Sequence, residues 1–294
     1  MPARPRQPGV AHAARAALVA AVTAAVATRI ADRVRLDAIP GWRRPNYRGR
    51  MVSLAGGSGA VLGSLAGTLL EPPGRRGAAV LAGGAAAVAG AYDDLLAGRA
   101  EAAGDKGFAG HLAAIRAGRV SGGVVKVAVI GGAALAAAGR LDHSLPGART
   151  GAAGARFLPR VGDRVLRAAV IAGSANLLNL LDLRPGRAGK VAAVAGLLSA
   201  SGPSRGMAAA SAGAAAAVLP GDLGERTMLG DLGANTLGAL LGVRLASGSV
   251  RTRVVSLAVI GAVTAASERV SLSKVIDSNP ALHALDQLGR APSP

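Results

Sequence analysis

The chain has 294 residues, 51% of them apolar, with a mean hydropathy of +0.39 and a formal charge of +18 from 34 Lys and Arg against 16 Asp and Glu. Charges come in bursts separated by uncharged runs of roughly 13 to 20 residues, about the length that crosses hydrocarbon, which excludes an ordinary soluble domain and points to a polytopic membrane protein. Cysteine is absent, so disulfides and thiolate metal sites are excluded, and any metal is held by oxygen or imidazole.

A Pro/Arg tail, residues 1–12, precedes the first apolar run, 13–27, in which Arg15 can snorkel to an interface. Ala25-Val26-Ala27 also fits a signal-peptide cleavage site, but many further runs follow and a retained span is expected. A basic loop, 28–50, leads to the second run, 51–70, and an EPPGRRG turn to the third, 78–96. That run delivers Asp93 and Asp94 at its end, where unpaired carboxylates in lipid cost several kcal/mol and must leave the hydrocarbon or be compensated. Adjacent carboxylates at a membrane surface suggest a divalent cation or a proton acceptor.

The fourth run is 122–138, followed by an arginine-rich loop, 139–164, without recognisable chemistry. The fifth, 165–181, ends in NLLNLLDLRPGRAGK, where Asn176, Asn179 and Asp182 recur every three residues and would line one helix face toward a cavity. Short sixth and seventh runs, 191–200 and 207–219, flank a SGPSR turn. The eighth, 237–246, belongs to a helix that starts as early as Met228, and the ninth, 254–266, precedes a tail too charged to span. Residues 13–267 are thus expected to form an all-α bundle of about nine transmembrane helices, with tails at 1–12 and 268–294.

Large side chains are scarce, so the helices are expected to pack through small ones: Gly59, Gly63 and Gly67 repeat at four-residue spacing, as do Gly238 and Gly242. Nine spans place Asp93, Asp94, Asp182, Asp231, Glu268 and the lysines Lys106, Lys126, Lys190 and Lys274 on one face. The clustered acids point to a shared site, and a weak excess of Lys and Arg there reads as cytoplasmic. The arginines lie in short loops, where they meet anionic lipid headgroups and phosphates rather than nucleic acid.

Three segments in order, GAYDDLLAG at 90–98, NLLNLLDLRPG at 176–186 and MLGDLGANTLGALLG at 228–242, with a weaker fourth, RRPNYRGRMVSLAGG at 43–57, make the chain similar to a known superfamily. It resembles the polyprenyl-phosphate N-acetylhexosamine-1-phosphate transferases, which include the translocase that makes the first lipid-linked peptidoglycan precursor. The resemblance implies transfer of a sugar-1-phosphate from a UDP-sugar to polyprenyl phosphate on the cytoplasmic face, with Mg²⁺ or Mn²⁺. By motif position Asp93 matches the family's base or phosphate-activating carboxylate, and Asp94 its neighbour near nucleotide and metal. Asp231 matches a metal ligand, and Asn179 and Asp182 the central Asn/Asp site. Lys106, Lys126 and Lys190 are candidate phosphate contacts, because joining two anionic phosphates requires charge neutralisation. Pro185 stands where the family usually has a second acid and Met228 where it usually has an aromatic, and the family's histidine-rich loop is missing, with His111 a candidate substitute. These departures keep a second reading open, a non-catalytic relative that binds polyprenyl lipid or scaffolds envelope-synthesis enzymes. A homodimer or an envelope-synthesis partner fits either reading.

Overall fold

Alanine runs favour helix, and glycine at four-residue spacing lets two such helices approach to backbone contact. The computed structural model describes residues 9–34, 36–95, 122–144, 157–202 and 204–291, and among these each of the nine apolar runs contributes a helix, the second only from Ala55 on because its first residues form a strand. In order these are α1 (Val10–Arg33), α2 (Ala55–Thr68), α3 (Pro73–Leu95), α4 (Gly122–Ser144), α5 (Phe157–Leu181), α6 (Arg187–Leu198), α7 (Arg205–Leu223), α8 (Gly230–Ala246) and α9 (Val250–Ser267). The tail adds two short helices, α10 (Leu272–Ser278) and α11 (Pro280–Gln287). Among the described residues four stretches are long and apolar enough to cross a membrane: Val10–Arg33, Gly123–His143, Arg160–Leu181 and Val250–Ser267. By contrast α2, α6 and α8 have 14, 12 and 17 residues, so α6 rises only about 18 Å against a hydrocarbon core of about 30 Å.

The burial pattern is that of a protein solvated by lipid. The interior is built mainly from alanine and glycine, while α6 turns Leu197 and Leu198 outward at 72% and 78% exposure. On α9 just Arg253 and Ile260 are buried, among the described residues, and its valines face out. Water would penalise such an exterior, whereas hydrocarbon accepts it at no cost and leaves close backbone packing as the organising force.

Helix α8 is the axis, with α2, α3, α5 and α7 against it. It is buried around its whole circumference, as a helix apolar on every side must be. The predicted glycine seams do this packing. A Cβ at Gly59, Gly63 or Gly67 would run into α1 at Thr28, Ala20 or Ala16, and one at Gly238 or Gly242 into α5 at Ser174 or Ile171.

The basic loop before α2 carries the one strand pair among the described residues: Arg43–Pro45 (β1) and Met51–Ser53 (β2) form an antiparallel hairpin. Ser53 bridges to Thr227, so the hairpin is stitched to the turn before α8. Glu225 in that turn takes Arg48 Nη1 at 2.7 Å and Asn46 Nδ2 at 2.7 Å, with Arg50 at 3.7 Å. At the opposite end of the bundle the charges around Asp163 are structural. Asp163 accepts from Arg167 at 2.8 Å and Arg253 at 2.6 Å, and Arg167 also caps the Ala246 carbonyl at 2.7 Å, tying α5 to the α8–α9 turn.

Candidate functional site

Three segments far apart in sequence meet at the N-terminus of α8. Gly90 on α3 lies so close to the Asp231 peptide that a Cβ there would strike it, and this approach brings the last turn of α3 against the start of α8. Gly230 immediately before has φ +59, a left-handed conformation, and an added Cβ would lie 2.7 Å from Asp94 Oδ2. Glycine is therefore dictated at Gly90 by contact, and at Gly230 by backbone geometry as well as contact.

The first amides of α8 have no intrahelical acceptors, and two acids from other segments supply them. Asp94 accepts from Asp231 N at 3.2 Å and Leu232 N at 2.9 Å, and its carboxylate also takes Arg44 Nη1 of the hairpin at 2.5 Å. Asp182, in the turn after α5, accepts from Gly230 N. Carboxylates at this helix end are favoured by its dipole as well as by the hydrogen bonds. Asp94, expected beside nucleotide and metal, is thus engaged as the cap of α8.

The open part of the site lies one residue away. Lys126, from the first turns of α4, places its ammonium between Asp93 Oδ2, at 2.9 Å, and Asp231 Oδ2, with which it is in direct contact. With its amide turned to satisfy its neighbours, Asn179 donates to Asp231 Oδ1 at 3.0 Å and accepts from Lys126 Nζ at 3.2 Å. One residue from each of α3, α5 and α8 therefore converges on the single cation that α4 carries. Asp93, Asp231 and Lys126 keep 20%, 28% and 16% side-chain exposure, so a ligand can reach them.

Charge is not balanced here. Among the described residues four carboxylates, Asp93, Asp94, Asp182 and Asp231, meet two cations, Lys126 and Arg44. The consequence is visible at Asp182, where burial first, and then the charges of Asp222, Asp231 and Asp94, push the carboxyl well above the usual carboxylate range.

The donor set bears on whether a divalent cation fits. Asp93 and Asp231 already share one cation, and the Asn179 amide oxygen lies next to it, which is the hard oxygen chemistry that Mg²⁺ or Mn²⁺ takes. Among the described residues no group of three or more His, Cys, Asp or Glu side chains forms a ready-made metal cage. The arrangement suits a cation held by two carboxylates and completed by water or substrate oxygens.

Not every candidate joins this cluster. Asn176 is exposed on α5. Lys190 points elsewhere, donating to the Leu285 and Asp286 carbonyls of the tail at 3.0 and 2.8 Å. Lys106 and His111 lie outside the described residues. Arg44 was not singled out from sequence, although it belongs to the basic RRPNYRGR loop; the hairpin that aims it at Asp94 is a tertiary event. An apolar cavity of about 280 Å³ opens between α5, α6, α8 and α9, lined by Leu178, Leu181, Val191, Leu241 and Val259. Leu178 and Leu181 flank Asn179 in sequence, but the cavity lining includes none of Asp93, Lys126, Asn179 and Asp231. No known protein family and no curated protein matches the chain.

Proposed function

We propose that the protein is a membrane phosphotransferase that moves a sugar-1-phosphate from a UDP-sugar to polyprenyl phosphate. The observation that carries this reading is the convergence of Asp93, Asp231, Asn179 and Lys126, in a bundle that also holds an apolar cavity against α5. A substrate with a long hydrocarbon tail and a phosphate head needs an apolar groove ending in a cationic and polar site. All nine helices are read as one membrane-embedded bundle, the shorter ones shielded by their neighbours, with the cluster on the cytoplasmic face.

In the reaction, an oxygen of the lipid phosphate attacks the β-phosphorus of the UDP-sugar. A new P–O–P bond forms, the bond between the α- and β-phosphates breaks, and UMP leaves with the electron pair. Lys126 meets the phosphate oxygens and offsets the charge that repels two anions. Asp93 and Asp231 hold that ammonium in place, Asn179 fixes Asp231, and Asp94 with Arg44 fixes the end of α8. Asp93 and Asp231 are the residues that would hold a divalent ion, which would supply further neutralisation of phosphate charge.

A second reading is favoured by one specific feature. The Lys126 ammonium already neutralises both carboxylates, as expected of a relative that binds polyprenyl lipid or scaffolds other enzymes without catalysis. Purified protein in nanodiscs, with Mg²⁺, polyprenyl phosphate and a panel of radiolabelled UDP-sugars, separates the two. Product that requires Mg²⁺ and is lost in Asp93→Asn and Asp231→Asn, with the thermal melts of both variants intact, supports the transferase. Lipid phosphate binding without product from any donor sinks it in favour of the binding protein.

A further inference from the structure

The tail beyond α9 folds back over the end of the bundle that carries the site, and it is held almost wholly by charge. Arg187, in the first turn of α6, grips Asp286 of α11 with a two-pronged fork, Nε to Oδ1 at 2.8 Å and Nη2 to Oδ2 at 3.0 Å. Arg290 adds 2.7 Å to the same carboxylate and donates to the Pro185 carbonyl at 2.8 Å. Arg187 Nη1 reaches Ser273 of α10 at 3.1 Å, Lys190 holds the Leu285 and Asp286 carbonyls, and Ala291 N bonds the Leu223 carbonyl at 3.1 Å. Apolar burial contributes little: α10 buries no residue, α11 buries Asp286 alone, and Leu282, Leu285 and Leu288 are exposed.

A strap docked by ion pairs over so little apolar area is displaceable by a better anion. The planar fork of Arg187 accepts phosphate as readily as carboxylate, and Lys190 stands one helical turn on along the same face. Both follow directly on the segment that carries Asn179 and Asp182. Resting on the reading that this face handles phosphates, we infer that Arg187 and Lys190 form a phosphate-binding site whose internal occupant is Asp286, so that the tail strap and a phosphorylated ligand compete for it. The ligand's phosphate comes either from a soluble diphosphate or from a lipid phosphomonoester.

The test uses the full chain in zwitterionic nanodiscs, with inorganic pyrophosphate titrated calorimetrically in one arm and phosphatidate incorporated and its retention measured in the other. Asp286→Ala is expected to tighten binding about tenfold in one arm, as for a site freed from an occupant present nine-tenths of the time. Tightening in the pyrophosphate arm assigns a soluble diphosphate, and tightening in the phosphatidate arm a lipid. Adding Arg187→Ala to Asp286→Ala should abolish the gain. Because the chain has no cysteine, the pair Leu223→Cys and Ala291→Cys can lock the strap, and oxidation should weaken binding relative to the reduced form. Unchanged affinity in both arms on removing Asp286, or a locked strap that binds as well as a free one, overturns the proposal. Absence of sugar-phosphate transfer alongside a preserved effect on phosphate binding would sink the transferase reading and leave this one standing.

Discussion

At the scale of single residues, Lys126 governs the candidate site because two carboxylates lean on one ammonium. Replacing it by methionine keeps most of the volume and leaves Asp93 and Asp231 facing each other without compensation. The expected cost is about 1 to 3 kcal/mol, below that of breaking a fully buried pair because all three side chains keep some exposure. If the carboxylates can hold a divalent ion, Mg²⁺ should raise the melting temperature of Lys126→Met by more than it raises the wild type; equal shifts would argue against that pocket. Asp182 supplies a pH test. Its carboxyl is raised by burial and by Asp222, Asp231 and Asp94, so it favours the fold when protonated, and this contribution fades as pH rises through the folded value. Asp182→Asn should therefore melt like wild type near pH 4 and increasingly above it toward pH 9. A constant difference across the series would remove Asp182 from the charge cluster.

Among the elements, α8 and the helices that press on it decide whether those residues meet. The approach of α3 to the start of α8 depends on Gly90, whose Cβ position is occupied by the Asp231 peptide. Gly90→Val should separate the two helix ends, costing about 1 to 3 kcal/mol from overpacking and abolishing any activity that needs Asp93 and Asp231 together. The control is Gly84→Val six residues earlier on α3, where nothing lies within 4 Å of an added Cβ. Similar melting of the two variants would show that the close approach matters little. The hairpin acts in the same way from the other side: Ser53 and Glu225 anchor it to the turn before α8, and so carry Arg44 to Asp94.

For the whole molecule the question is sidedness. The cysteine-free chain allows single cysteines to be labelled with a membrane-impermeant maleimide in intact and lysed cells. Tyr47 on the hairpin and Arg251 at the start of α9 are both exposed and lie at opposite ends of the bundle. Tyr47→Cys should label after lysis and Arg251→Cys without it; the reverse would put the site outside the cell.

Most of the architecture was legible in the sequence. The apolar runs marked nine helices near their observed positions, though most helices extend beyond their runs into flanking polar residues. The glycine spacing marked the faces of α2 and α8 that pack closely, since a missing Cβ is written in the sequence itself, while their partners α1 and α5 came only with the fold. The acids were legible as a cluster by their side of the chain, and Asp93, Asp231, Asn179 and Lys126 do meet. Their division of labour was not legible. Whether a carboxylate caps a helix, as Asp94 does, or stays open beside a cation, as Asp93 does, depends on about one residue of rotation at the α3–α8 contact. The docked tail was hidden for a related reason: its charges read as solvated, and ion pairs such as Arg187 with Asp286 span nearly 100 residues with no periodicity to announce them. Sequence determined which segments are helical and which face collects the charge, because hydropathy and side-chain size are local. Tertiary structure alone decided which charges neutralise which, because electrostatic pairing depends on distances that only the packed helices set.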